Sequence, residues 1–328
     1  MYFDRKYNSS SESNSFLSRP LTGKSKVFIT MRLPIVPCFL CALLFAGGAL
    51  AQAQTAATPA AKSSLEPPVT PDQVTRAHDE PLNPALPTLF IVGDSTARNQ
   101  ADLGWGDHFA HYFDRSRINI ANRAIAGRSS RTYMREGAWA KTLGEMKAGD
   151  TLLLQMGHND GGALDGAKPR GTLKGNGEET REVTLLSGEK ETVHTYGWYL
   201  RKYIADARAK GVTTILLTPT VRNIWTDGAD GKKHIERDMG YGAVMRAVAA
   251  SEHIALLDMA SSEADLLESF GPEKTAALFP KDHTHTSAVG AELNASVVAR
   301  RIVADHAPIQ KFLLAPLPEF TSETSTSK

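Results

Sequence analysis

Five short, unbroken apolar runs limit what this chain can fold into: residues 88–92 (TLFIV), 118–122 (INIAN), 151–155 (TLLLQ), 213–218 (TTILLT) and 254–258 (IALLD). None shows the in-and-out alternation of a half-exposed strand. Continuous runs of this length suit parallel strands covered on both faces. Helical segments separate them. Residues 196–210 carry Trp198, Tyr199, Ile204 and Ala207 and stop at Gly211, a good helix terminator. Residues 287–306 follow Thr286 and Ser287, both capable N-caps, and end before Pro308. Alternating β and α segments predict a three-layer α/β/α sandwich around a five-stranded parallel sheet. In such a sheet, functional residues gather at the C-terminal ends of the strands.

The flanks read differently. Residues 31–51 have the pattern of a signal peptide: Arg32 after Met31, an apolar run from Leu33 to about Ala46, then small residues to Ala51. Pro34 and Pro37 interrupt the run, which is short for a bilayer span. Cleavage after Ala51, or after Ala53, sends the protein to a secreted or periplasmic location with no stable membrane insertion. Residues 1–30 are polar and Ser-rich, an upstream extension or a mis-assigned start, Met31 being the better initiator. Residues 52–87, rich in Ala and Pro, read as a linker or a wrapped extension, 88–312 as one α/β domain and 313–328 as a tail. Both cysteines, Cys38 and Cys41, leave with the signal. The full chain has 37 Lys+Arg against 36 Asp+Glu, and without residues 1–51 it carries 31 against 34, so no nucleic-acid partner is expected.

Chemistry-bearing residues stand at the expected strand ends. The first strand runs into Gly93-Asp94-Ser95-Thr96, where a serine ahead of an expected helix has an exposed hydroxyl near amides able to hold an oxyanion. Asp94 is expected to cap that helix. The second strand leads to Gly127, and the third to Gly157-His158-Asn159-Asp160, where Asn159 is either an amide donor or part of a polar turn. Just before the last helix stands Asp282-His283-Thr284-His285. A carboxylate three residues before a histidine can orient the ring, which is then free to take a proton from a serine. A zinc pair of His283 and His285 lacks any completing motif, so neither metal nor cofactor is expected.

Gly93-Asp94-Ser95, Gly127, Gly157-x-Asn159-Asp160 and Asp282-x-x-His285 together resemble the four blocks of the SGNH (GDSL-type) hydrolases, over about residues 88–306. Thr96 stands where many of these enzymes have Leu. Gly-Asp-Ser-Thr with Asp-His-Thr-His-Thr-Ser resembles the rhamnogalacturonan acetylesterase branch. The resemblance implies a flavodoxin-like fold and a triad of Ser95, Asp282 and His285. It also implies an oxyanion hole of Ser95, Gly127 and Asn159, and removal of acetyl groups from a plant cell-wall polysaccharide, most directly acetylated rhamnogalacturonan or pectin. An acetyl-xylan, lipid or thioester substrate, or a non-catalytic carbohydrate-binding role, is the alternative. Arg128 and Arg131, just after Gly127, are candidates to bind uronate carboxylates. Trp105 and Trp225 are candidates to stack on sugars or to pack in the core. Residues 161–194, Gly-rich and charged, are long for an α/β connection and are expected to shape the substrate cleft.

Overall fold

The computed structural model describes residues 70–77 and 79–320. The signal segment, residues 1–30, the first part of the 52–87 stretch and residues 321–328 lie outside the described residues.

The strands are β1 (Thr88–Gly93), β2 (Asn119–Asn122), β3 (Thr151–Gln155), β4 (Thr180–Thr184), β5 (Lys190–His194), β6 (Thr213–Leu217), β7 (Trp225–Asp227), β8 (Lys233–Ile235) and β9 (Ala255–Leu257). The helices are α1 (Ser130–Arg135), α2 (Ala138–Glu145), α3 (Tyr196–Ala209), α4 (Gly242–Glu252), α5 (Met259–Ala276) and α6 (Ala288–Ala304). One parallel sheet has the order β2-β1-β3-β6-β9, and β4–β5 and β7–β8 are separate antiparallel hairpins. All five expected strands are therefore present.

Alternate residues of each apolar run go to opposite sides of this sheet. Phe90, Val92, Leu152, Leu154 and Leu216 pack under α1 to α4, while Leu89, Ile91, Leu153, Ile215 and Leu217 pack against α6 and the aromatic segment Trp105–Phe113. Strands buried on both faces can carry apolar side chains at every position, which explains the unbroken runs. Strand order reverses direction at β1. The β2-β1-β3 arrangement is the topological switch point of a doubly wound sheet, and the crevice beyond its strand ends is where such folds bind ligands.

Both expected helices form. Thr195 caps α3 by accepting from the Trp198 amide at 3.1 Å, and Ser287 caps α6 by accepting from Gly290 at 3.2 Å. The expected helix after Ser95 does not form. The Gly104–Gly106 backbone folds back instead, with Trp105 N donating to Thr96 O (3.0 Å) and Gly106 N to Ala97 O (2.9 Å), and the segment continues as two 3-10 turns. Gly104 is required for this approach, because a Cβ there would lie 2.5 Å from the Ala97 and Arg98 backbone.

Residues 70–87 are wrapped onto the domain. Val74 is fully buried in the α1–α4 side of the core. Asp79 receives Arg98 Nη2 at 2.7 Å and Arg123 Nη1 at 3.4 Å, and Arg98 Nε also reaches Asp107 at 3.0 Å. The described part of the tail is likewise packed, Leu313 bridging to Phe113 and Leu317 meeting the α6 side of the core. Arg98 is buried, so its truncation removes the one guanidinium shared by Asp79 and Asp107. Arg98→Ala is expected to cost about 3–5 kcal/mol of unfolding free energy in a urea titration. An unchanged midpoint and slope would mean that residues 70–87 are not anchored through this group.

Candidate active site

Ser95 lies on the turn that leaves β1. The turn is closed by Ala97 N and Arg98 N, both donating to Asp94 O, and Asp94 Oδ1 accepts from the Thr96 amide and hydroxyl, each at 2.9 Å. Asp94 therefore shapes the turn itself and caps no helix. Beneath the turn sits Gln155, the fully buried last residue of β3. Its Oε1 accepts from Thr96 Oγ1 (3.2 Å) and from Trp105 Nε1 (2.7 Å), and its Nε2 donates to Thr218 O beyond β6 (3.0 Å). Asn122, at the end of β2, donates to Ala97 O and to Asp107. Three neighbouring strand ends thus hold one turn. Neither Gln155 nor Asn122 stands out in the sequence, because a buried polar residue at the end of an apolar run reads as a strand boundary.

The loop before α6 brings the acid and the base. Ser95 Oγ lies 2.8 Å from His285 Nε2, across 190 residues of chain, and His285 Nδ1 lies 2.8 Å from Asp282 Oδ2. A carboxylate can only accept here, so Nδ1 carries the hydrogen and the Nε2 lone pair faces the serine hydroxyl. Asp282 Oδ1 also accepts from the Thr284 and His285 amides at 2.7 and 2.8 Å. Burial works against ionisation of Asp282, but the bonds from the His285 ring and from the two amides outweigh it and hold its carboxyl at about 2. His283 is exposed, its backbone oxygen accepting from Asn223 N, and it stands outside this relay. Thr286 Oγ1 donates to Leu103 O, and Glu292 on α6 accepts from Tyr112 at 2.7 Å and meets His108 and His111 at 3.1 Å. These contacts fasten the start of α6 to the segment that follows Ser95.

Gly127 (φ 77°) sits in a left-handed turn that an ordinary side chain would strain. Among the described residues, no group accepts the amide hydrogen of Ser95 or of Gly127. Asn159 Nδ2 donates to Arg128 O at 3.0 Å, and its Oδ1 accepts from Arg170 Nη1 at 3.0 Å. Arg170 so fixes which face of the amide carries the nitrogen, and one Nδ2 hydrogen remains for another acceptor. The two amides and Asn159 come from the ends of β1, β2 and β3, the strands around the switch point.

The structure corrects the arginine assignments. Arg131 is fully buried, its guanidinium engaged by Glu191 and by the carbonyls of Leu164 and Gly171. It anchors the 161–194 stretch and is out of reach of a polymer. Arg128, also buried, pairs through Nε with Glu136 at 2.8 Å, and only part of it borders a cavity. Trp105 is fully buried against Phe109, and Trp225 packs beside α5 with its Nε1 on Asn223. Trp105 offers no open face for a sugar, whereas Trp225 is half-buried.

Two cavities flank the region between Gly127 and Asn159. One, of about 270 Å³, is lined by Gly127, Arg128, Glu136 and the Leu185–Ser187 tip of the β4–β5 hairpin. The other, of about 470 Å³, is lined by His158, Asn159, Lys174, Arg222 and Tyr241. Arg170 borders both. The His285 and Asp282 side chains are 32% and 43% exposed, so the relay is open to solvent. Residues 161–194 form walls of both cavities.

Fold and site together define an ester hydrolase. The family described as GDSL-like Lipase/Acylhydrolase matches residues 91–293. A rhamnogalacturonan acetylesterase of Emericella nidulans is 32% identical over 66% of this chain and 84% of its own length. A probable rhamnogalacturonan acetylesterase of Bacillus subtilis, YesY, is 31% identical over 65% of this chain and 91% of its own. A solved structure of YxiM from Bacillus subtilis shares the fold with a TM-score of 0.54 at 24% identity, covering 68% of this chain and 58% of that one. The chain belongs to the SGNH (GDSL-type) hydrolase family and is a carboxylic ester hydrolase.

Asp160, next to Asn159, is buried and ties β3 to the start of α1 by accepting from the Ser130 amide and hydroxyl. Burial raises its carboxyl, the Ser130 bonds lower it and the nearby Asp94 raises it, leaving it at about 7. The native state therefore holds this proton more tightly than the unfolded chain does. That contribution to stability is complete below the usual aspartate value of about 3.9 and is lost as pH rises through about 7. Asp160→Asn should remove this loss, so the wild-type unfolding free energy should fall relative to the variant between about pH 4 and 7 in urea titrations. Parallel pH profiles for the two proteins would contradict the assignment.

Proposed function

We propose that the chain is a secreted or periplasmic serine acetylesterase acting on acetylated rhamnogalacturonan or a related pectin. The observation that carries this reading is the Ser95–His285–Asp282 relay, two contacts of 2.8 Å assembled at the switch point of the sheet. The substrate class rests on the two relatives named as rhamnogalacturonan acetylesterases, and export rests on the signal-like residues 31–51.

Ser95 attacks the acetyl carbonyl while His285 Nε2 takes its proton. Asp282 keeps the ring in the tautomer that makes Nε2 the acceptor and stabilises the imidazolium formed. The oxyanion is received by the Ser95 and Gly127 amides and by Asn159 Nδ2. His285 then gives its proton to the departing sugar hydroxyl, and water attacks the acetyl-Ser95 ester by the same route. A relay open to solvent suits a polymer that crosses the site.

Ser95→Ala and His285→Ala should each lower kcat by on the order of 10³ or more, because members of such a relay act as a unit. His283→Ala should keep most of its activity. Asn159→Ala should lower kcat by roughly 10²–10³ with a smaller change in KM. Near-normal turnover by Ser95→Ala would overturn the relay, and a change confined to KM would make Asn159 a binding residue. For the substrate, acetate release from acetylated rhamnogalacturonan should exceed that from acetylated xylan and from long-chain p-nitrophenyl esters. Faster deacetylation of xylan than of any pectin would overturn the polymer assignment.

A further inference from the structure

The cavity beside Asn159 is electrostatically one-sided. Its lining includes Arg170, Lys174 and Arg222 and no aspartate or glutamate. The chain as a whole carries 37 basic and 36 acidic residues, so a lining that holds Lys174 and Arg222 with no carboxylate among its described residues does not reflect a general excess of positive charge. At most other arginines of this domain a carboxylate is close by: Arg98, Arg123, Arg128, Arg131 and Arg135 all sit on one. Arg222 differs. Its Nη2 reaches only the His158 carbonyl, at 3.3 Å, and its buried Nε has no hydrogen-bond partner among the described residues. A buried donor without an acceptor needs an explanation, and a missing anionic ligand is one. Lys174 is exposed and forms no ion pair with any described residue. Arg170 is engaged with Asn159.

The other walls suit a sugar ring. Tyr241 lines one side, with its ring packed edge-on against Tyr196. Gly157, Gly161 and Gly162 leave much of the lining as bare backbone. Side chains are excluded at two of them, since a Cβ on Gly157 would lie 2.8 Å from Pro219 and one on Gly161 would lie 2.9 Å from Tyr241 Oη. The volume, about 470 Å³, falls in the range of roughly 300–1,000 Å³ usual for small-molecule sites.

We propose that this cavity is a carboxylate subsite in which Lys174 and Arg222 bind a uronate unit of the substrate next to the acetylated sugar. It takes over the part that the sequence assigned to Arg128 and Arg131, whose guanidinium groups are engaged by Glu136 and Glu191. A guanidinium offers a carboxylate two parallel hydrogen bonds, and the lysine adds a point charge at the rim. A neutral ring could offer Arg222 Nε a hydroxyl but neither a negative charge nor two parallel acceptors. The proposal deepens the acetylesterase reading and rests on it for the polymer, yet the subsite can be tested without it.

The test is competitive inhibition of p-nitrophenyl acetate hydrolysis by trigalacturonate and by its methyl ester, for wild type, Lys174→Gln and Arg222→Gln. The ratio of the two inhibition constants is internal to each protein, so any change in basal turnover cancels. Wild type should bind the acid at least about 10-fold more tightly than the ester, and each substitution should weaken only the acid, by roughly 10-fold or more. Arg222→Gln loses a contact with the His158 carbonyl. If that variant fails to fold, the exposed Lys174→Gln decides the matter alone. Equal constants for acid and ester in wild type, or a ratio unchanged in Lys174→Gln, would overturn the subsite. A wild-type enzyme that prefers the acid but releases no acetate from acetylated rhamnogalacturonan would keep the subsite and overturn the polymer reading.

Discussion

The turn that carries Ser95 depends on one buried amide. Gln155 has no exposure to water, and its two ends face opposite directions, Oε1 toward Thr96 and Trp105 and Nε2 toward Thr218. An amide placed in an apolar interior is costly unless its hydrogen bonds are made, and these three are made only when the turn after β1, the first 3-10 turn and the end of β6 are all in place. Many other backbones for the Ser95 turn would leave Gln155 unsatisfied. The constraint is therefore a local one with wide reach: it sets where Ser95 stands relative to β3, and so relative to Asn159 four residues further along.

The same logic explains why the site is spread over the chain. Each group comes from a different crossover of a sheet whose strands all point the same way, so their C-terminal ends converge without any long excursion. Ser95 and His285 are 190 residues apart, yet the loop before α6 is short and well fastened: Asp282 receives two backbone amides, Ser287 caps the helix and Glu292 gathers Tyr112, His108 and His111. Burial opposes the charge on Glu292, but the bonds from those three side chains win and hold its carboxyl at about 2. A base held this firmly does not need to be ordered by the substrate, which is the advantage of preorganisation in catalysis.

Much of this was legible in the residues. The sheet showed itself because strands buried on both faces are apolar throughout, and α3 and α6 because Thr195, Ser287 and Gly211 mark their ends. Three of the four motif blocks stood after strand ends, as the topology demands, and the fourth just before the last helix. What stayed hidden depended on distant partners. The segment after Ser95 has enough helical character to suggest a helix, but Thr96 and Ala97 carbonyls are taken by Trp105 and Gly106, and the chain turns back. The β4–β5 hairpin hides in a charged stretch because it buries only Val183 and Val193. Arg131 looks like a surface residue beside Gly127 until Glu191, sixty positions later, folds over it.

The central claim is that the Ser95 hydroxyl is activated by His285 within this relay. Labelling with a fluorophosphonate, followed by peptide mapping in a mass spectrometer, tests it most directly, because the reagent reacts with an activated serine and leaves a stable adduct. A single modified peptide carrying the adduct on Ser95 is expected in wild type, and loss of labelling in folded His285→Ala. An adduct on another serine, or labelling of Ser95 at an undiminished rate without His285, would contradict it.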